Sequence, residues 1–250
     1  MWLIAVYHQV SLFSLKPSDA TSTGGRSLLV PTPFSIKMAL LDVALRLYGA
    51  RSESTFFPLI LDLGIALSPP PQIVVNNCFV RIHKPRRSKG DTGSKESNDD
   101  NQGDGVSDGP FIRSVAFREY VQYNGPLGVA LEVADQRDAD MLAPLLVQVT
   151  YFGKRGSLFQ IDSPPAVVKN LPTRQGYKQI NKQMPDESDQ AHSILQMLDD
   201  CDSKLTFAKA NIYSPEPLSP GKDRIFLAVS LPYQLTRSSR GFSLYERISP

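Results

Sequence analysis

Cysteine is nearly missing from this chain of 250 residues: Cys78 and Cys201 stand far apart, and neither belongs to a C-x-x-C pair. A disulfide framework or a cysteine-based zinc site needs more thiols at closer spacing. Histidine is just as sparse, with His8, His83 and His192 scattered along the chain. There is no H-E-x-x-H, no G-x-S-x-G and no G-x-x-x-x-G-K-[ST]. The sequence therefore offers no metalloprotease helix, no hydrolase elbow and no nucleotide-hydrolysing phosphate loop. No stretch reaches the run of about 18 apolar residues that a membrane helix needs. The apolar start, MWLIAVYHQVSLFSL, has neither a basic segment before it nor a small-residue cleavage site after it. With so little cysteine, this points to a reducing, cytoplasmic setting and no membrane partner. An excess of one charge is also lacking. The net charge is +2 and the isoelectric point lies near 8.5, so any nucleic-acid surface must be a local patch.

Ordinary globular material is present. Hydrophobic residues make up 41% of the chain and charged residues 21%, enough for a real core. The opening segment reads as a β-strand. Lys16–Pro31, rich in Ser, Thr and Gly, reads as a loop. Thr32 can cap a helix over residues 33–48, with Pro33 in its first turn and Gly49 as its stop. A short helix is expected within Ser52–Leu67, and strands at Ile73–His83, Phe111–Tyr123 and Leu127–Ala134. A second main helix covers about Arg137–Leu146. Past Pro164 the reading is loop-rich, with a weak helix at Ala191–Leu198. Strands are expected at Leu205–Tyr213, Arg224–Leu235 and Phe242–Ser249. Between Ser88 and Gly109 there is no aromatic residue and one aliphatic, Val106. Such a segment buries too little to offset the entropy of ordering, and it reads as a disordered insertion between two strands. The order β-α-β-β-α-β with an insertion suggests an α+β, ferredoxin-like core with extra strands.

Four stretches carry chemistry. YFGKRGSLFQI (Tyr151–Ile161) sets Lys154 and Arg155 between Gly153 and Gly156, glycines that permit positive φ and close backbone approach. The loop can cradle phosphates, or be a plain turn with solvated cations. Of Tyr151 and Phe152, one can stack on a base, and at least one must be core. TSTGGR, with Thr21, Ser22, Gly24, Gly25 and Arg26, suits a backbone clamp or an ordinary linker. Lys37 follows in the first turns of the helix, facing the loop or solvent. RIHKPRR is the densest basic cluster, with Arg81, His83, Lys84, Arg86 and Arg87 at a strand end. It reads as a phosphate contact or a solvated loop. In FREY, Arg118 and Glu119 point to opposite faces of a strand and do not pair with each other. Arg118 either pairs across strands or touches RNA. Asp199, Asp200 and Asp202 lack EF-hand spacing and read as solvated surface.

Three stretches together resemble the Cas-five family, the RAMP-superfamily subunit of type I CRISPR Cascade. TSTGGRSLLVPTPFSIKMALLDVAL (Thr21–Leu45) is similar to its glycine loop and following helix. IRSVAFREYVQYNGPLGVALEV (Ile112–Val133) is similar to its Arg-Glu-Tyr strand, and YFGKRGSLFQI to its tyrosine-glycine loop. The match covers residues 1–165. It implies a ferredoxin-like (RRM-like) RAMP core there, with 88–109 as a disordered or thumb-like insertion and 166–250 as a β-rich C-terminal region. It also implies a non-enzymatic subunit, without cofactor or metal, that holds the 5′ handle of the CRISPR RNA. Such a subunit caps the backbone-subunit filament, docks the large subunit and lies near target DNA at the protospacer-adjacent motif. The GKRG loop then reads as an RNA contact. The alternative is a metal-independent endoribonuclease that cuts repeat RNA through His8 with Tyr7, or His83 with Lys84.

Overall fold

The computed structural model describes residues 1–18, 25–85, 110–181 and 193–248. The expected insertion at 88–109 lies outside the described residues. So do Thr21, Ser22, Gly24, Arg86, Arg87, His192 and the side chain of Lys84.

The first strand, β1 (Trp2–Gln9), leads to helix α1 (Pro33–Tyr48), whose limits are those the sequence predicts. Thr32 Oγ1 accepts from Ser35 N at 3.1 Å, and Pro33 opens the first turn. Gly49, at φ 81°, ends the helix in a conformation glycine adopts without strain. Helix α2 (Glu53–Leu61) is the short helix expected within Ser52–Leu67, and it is followed by β2 (Gly64–Ser68), a strand the sequence reading did not separate. GIALS is buried without alternation, and such a run does not reveal its period. A Cβ at Gly64 would collide with the side chain of Glu132, so glycine lets the strands close up.

Strands β3 (Gln72–Pro85) and β4 (Phe111–Asn124) form one long ladder. Strand β5 (Leu127–Glu132), helix α3 (Gln136–Gln148) and β6 (Phe159–Ile161) come next. Short strands β7 (Ala166–Val168) and β8 (Lys178–Gln179) then join the edges. The main sheet runs β6-β1-β5-β2-β8, with β7 also on β1, and every ladder in it is antiparallel. Leu3, Ala5 and Tyr7 of β1 join Ile65 and Leu67 of β2 and Val129 and Leu131 of β5 on one face. Ile36, Leu40 and Val43 of α1 and Leu142, Leu145 and Leu146 of α3 cover them. Each such side chain withdrawn from water is worth about 1.5–3 kcal/mol. On the other face, Trp2, Ala66 and Ala130 pack against Tyr177.

The C-terminal segment differs from the sequence reading at three places. Strand β9 (Ile194–Cys201) covers the described part of the helix expected at Ala191–Leu198, whose residues 191 and 192 lie outside the described residues. A four-residue helix α4 (Phe207–Ala210) replaces the expected strand, because Thr206 caps it by accepting from Lys209 N. Pro232 divides the third segment into β10 (Arg224–Leu231) and β11 (Tyr233–Ser238). With β12 (Phe242–Arg247) these make a two-stranded sheet, β10-β9, and a four-stranded sheet, β11-β12-β3-β4. No helix among the described residues is long and apolar enough to cross a membrane.

Candidate nucleic-acid interface

The segment after β1 gathers the sequence motifs. Phe13 bridges Val121 of β4, and Ser14 Oγ donates to Glu119 O at 3.1 Å. Ser14 N donates to Ser157 Oγ at 3.0 Å, and Ser11 Oγ to Gly156 O at 2.6 Å. Glu119 N donates to Gly25 O at 2.8 Å, while Ser27 N donates to Glu119 Oε2 at 2.8 Å. Gly25 lies so close to the Phe117 carbonyl that a Cβ there would collide with it. The end of TSTGGR, the FREY strand and the GKRG loop thus meet around residues 11–15, although they lie far apart in the chain. Arg26 stands exposed at this junction.

The GKRG loop is a closed turn. Tyr151 bridges Leu158, and Ser157 N donates to Lys154 O at 2.9 Å. Phe152 is the core aromatic, fully buried and edge-on to Tyr7 and Phe159, each at 5.2 Å. Tyr151 is half-buried, with its hydroxyl 3.4 Å from Asp42 Oδ2. Gly153 has φ 71° and sits against Leu15. Gly156 does not use the positive φ that glycine permits, and it faces open space. Lys154 and Arg155 are exposed, with no ion pair among the described residues.

The outer half of the β3–β4 ladder stands away from the core as an arm. Phe79 opposes Phe117, Arg81 opposes Val115, His83 opposes Arg113 and Pro85 opposes Phe111. Directly opposite residues share a face, so three basic groups and three aromatic rings line one side. Phe79 is 77% exposed and Val115 67%. The rings pair as they protrude, Phe79 with Phe117 at 5.7 Å and His83 with Phe111 at 6.3 Å. Sequence reasoning found Arg81 and His83 and missed Arg113. Arg113 lies 30 residues further on, and only the ladder register brings it opposite His83.

Other residues are placed differently from expectation. Lys37 is not at a surface. Its side chain is 2% exposed; Nζ donates to Asp200 Oδ2 at 3.0 Å and to Leu61 O at 2.9 Å, and lies 2.8 Å from Asp200 Oδ1 in the same ion pair. Asp200 and Asp199 are accordingly buried and not solvated. Asn181 Nδ2 and Cys201 N also donate to Asp200, both at 2.7 Å. Burial and the nearby carboxylates push the Cys201 thiol up to about 12, despite the opposing pull of Lys37. Arg118 donates to Phe117 O at 2.8 Å and makes no pair with Glu119. Tyr7 is buried, its hydroxyl donates to Leu146 O at 2.7 Å, and desolvation raises its pKa. His8 is exposed beside Asp162 at 3.0 Å, and as the neighbour of Tyr7 along β1 it points to the opposite face of the sheet. No group of three metal-ligating side chains occurs among the described residues.

No family model matches the chain. A curated protein of Archaeoglobus fulgidus, named "CRISPR-associated protein Cas5", is 24% identical over 216 residues, 85% of either chain. The resemblance to the Cas-five family is thus carried by a relative of that name. A crystal structure of a CRISPR protein from the same organism superposes at a TM-score of 0.42 with 10% identity, covering 98% of this chain and 91% of the other. A chain of a CRISPR RNA-guided surveillance complex superposes at 0.42 with 12% identity, covering 92% and 90%.

Proposed function

We propose that this chain, kin to a Cas-five protein, is a subunit of a CRISPR effector complex that holds the 5′ handle of the guide RNA without cutting it. One observation carries the reading: residues 11–15 and Glu119 tie the strand that carries the arm, the Gly25–Arg26 segment and the GKRG loop together. Exposed Arg and Lys suit the phosphates of a single strand, and protruding rings suit its bases. The sheet order supports a ferredoxin-like, RRM-like core. Helix α1 connects β1 to β2, α3 connects β5 to β6, and β3–β4 stands as an inserted hairpin. The proposed division into a core of 1–165 and a β-rich region of 166–250 needs one adjustment, since β7 and β8 of the latter join the core sheet. In the assembly the chain caps the backbone subunits, docks the large subunit and lies near target DNA, in the cytoplasm. A non-enzymatic role agrees with the burial of Tyr7, whose hydroxyl is bonded to Leu146 O and so is not offered to substrate beside His8.

The test is to purify the tagged chain from its native cell and sequence the RNA that accompanies it. Short RNAs with a common repeat-derived 5′ end are expected, and Lys154→Ala with Arg155→Ala should abolish their recovery. Absence of enriched RNA beside co-purifying backbone subunits would overturn handle binding. Cleavage of repeat RNA without metal, lost in His8→Ala or His83→Ala, would favour the nuclease instead.

A further inference from the structure

Beside the GKRG loop lies an open cavity of about 260 Å³ whose lining includes Leu15, Met38, Phe34, Tyr151, Asp199 and Arg224. Its size falls just below the range of roughly 300–1,000 Å³ typical of small-molecule pockets and leaves room for a planar base. Its floor is a prepared planar cation. The Arg224 guanidinium lies over the Phe34 ring, 4.1 Å from the centroid. Its Nε donates to Asp199 Oδ2 at 2.7 Å, and a second guanidinium nitrogen bonds the same oxygen. Asp199 is 3% exposed, so this clamp is shielded from water and holds the plane in place. One guanidinium face is covered by Phe34. The group is not sealed, because its side chain keeps 25% exposure and borders the cavity.

We propose that this cavity takes a single base of the bound RNA, stacked on the outer face of Arg224 with Tyr151 as its side wall. The proposal rests on the RNA-holding reading above and adds to it a site for one base. Tyr151 and Gly153 line the cavity, while Lys154 and Arg155 stand exposed immediately after them. A base enters and its phosphates stay outside on the two cations. Gly153 belongs to this arrangement because its positive φ makes the turn and a Cβ there would collide with Leu15, which lines the cavity. Guanidinium planes and aromatic faces are the usual supports for splayed-out RNA bases. Asp199 is a positioning residue, acting through Arg224.

The test uses the full chain and a 12-nucleotide single-stranded RNA of 4-thiouridine, photo-crosslinked and mapped by mass spectrometry. Crosslinks at Tyr151 are expected, together with any on the arm. Arg224→Lys keeps the charge and loses the stacking plane. It should weaken binding by about 5- to 150-fold, the worth of one stacked base, without changing the salt dependence. Lys154→Ala should instead make the salt dependence shallower. Crosslinks confined to the arm, with Arg224→Lys binding at full strength, would overturn the cavity and leave the RNA reading standing. No binding even at low salt would overturn both.

Discussion

At the scale of single residues, the buried pair of Lys37 and Asp200 is the point where most structure depends on least sequence. Its charges are withdrawn from water, so both must stay fully hydrogen-bonded. Leu61 O, Asn181 and Cys201 N supply what the pair itself does not. Breaking such a pair leaves one uncompensated buried charge and costs about 3–5 kcal/mol. Lys37→Met should therefore lower the unfolding free energy by that amount in urea titration. Adding Asp200→Leu should restore much of it, since the orphaned carboxylate is then gone. Asp223 provides a pH-dependent counterpart. Hydrogen bonds from Lys209, at 2.8 Å, and from Ser219 N hold its carboxyl below the usual aspartate range. A pKa lowered by folding stabilises the fold above the unfolded value, near 3.9, and that stability is lost as pH falls through the lowered value. Wild type should exceed Asp223→Asn in stability at neutral pH. The gap should close only as pH drops below about 4, measured by urea titration across the acid range.

At the scale of elements, the β3–β4 arm separates binding from folding. Its inner half, with Ile73, Val75, Val121 and Tyr123, is core, whereas its outer half is exposed. Arg81→Ala with Arg113→Ala should leave the melting temperature unchanged. On single-stranded RNA the log–log salt slope should become shallower by about 0.7 for each phosphate that the variant no longer neutralises. An unchanged slope would remove the arm from the interface. Helix α1 was legible from its ends because Thr32, Pro33 and Gly49 act within one turn of where they stand. Strand β9 was not, since ILQMLDDC takes its conformation from pairing with β10.

At the scale of the whole molecule, the C-terminal strands complete the body of the protein. Strand β12 pairs with β3, Tyr233 Oη donates to Pro70 O at 2.5 Å, and Arg247 donates to Pro69 O at 2.8 Å. Asp200 sits on β9, so residues 1–165 alone would also strand Lys37 without its partner. We expect a 1–165 fragment to give no cooperative thermal transition by circular dichroism. A sharp transition near that of the full chain would make the core self-sufficient.

The chain's local signals were enough for the limits of α1, the two long strands of the arm, the turn at GKRG and the absence of familiar catalytic patterns. Each depends on residues a few positions apart, whose conformational preferences and hydrogen bonds act within that distance. The burial of Lys37, the pairing of His83 with Arg113 and the cavity over Arg224 depend on groups brought together from distant parts of the chain. Lys37 and Asp200 are 163 positions apart. Register and burial arise from the packing of whole elements, and no short stretch of sequence carries either.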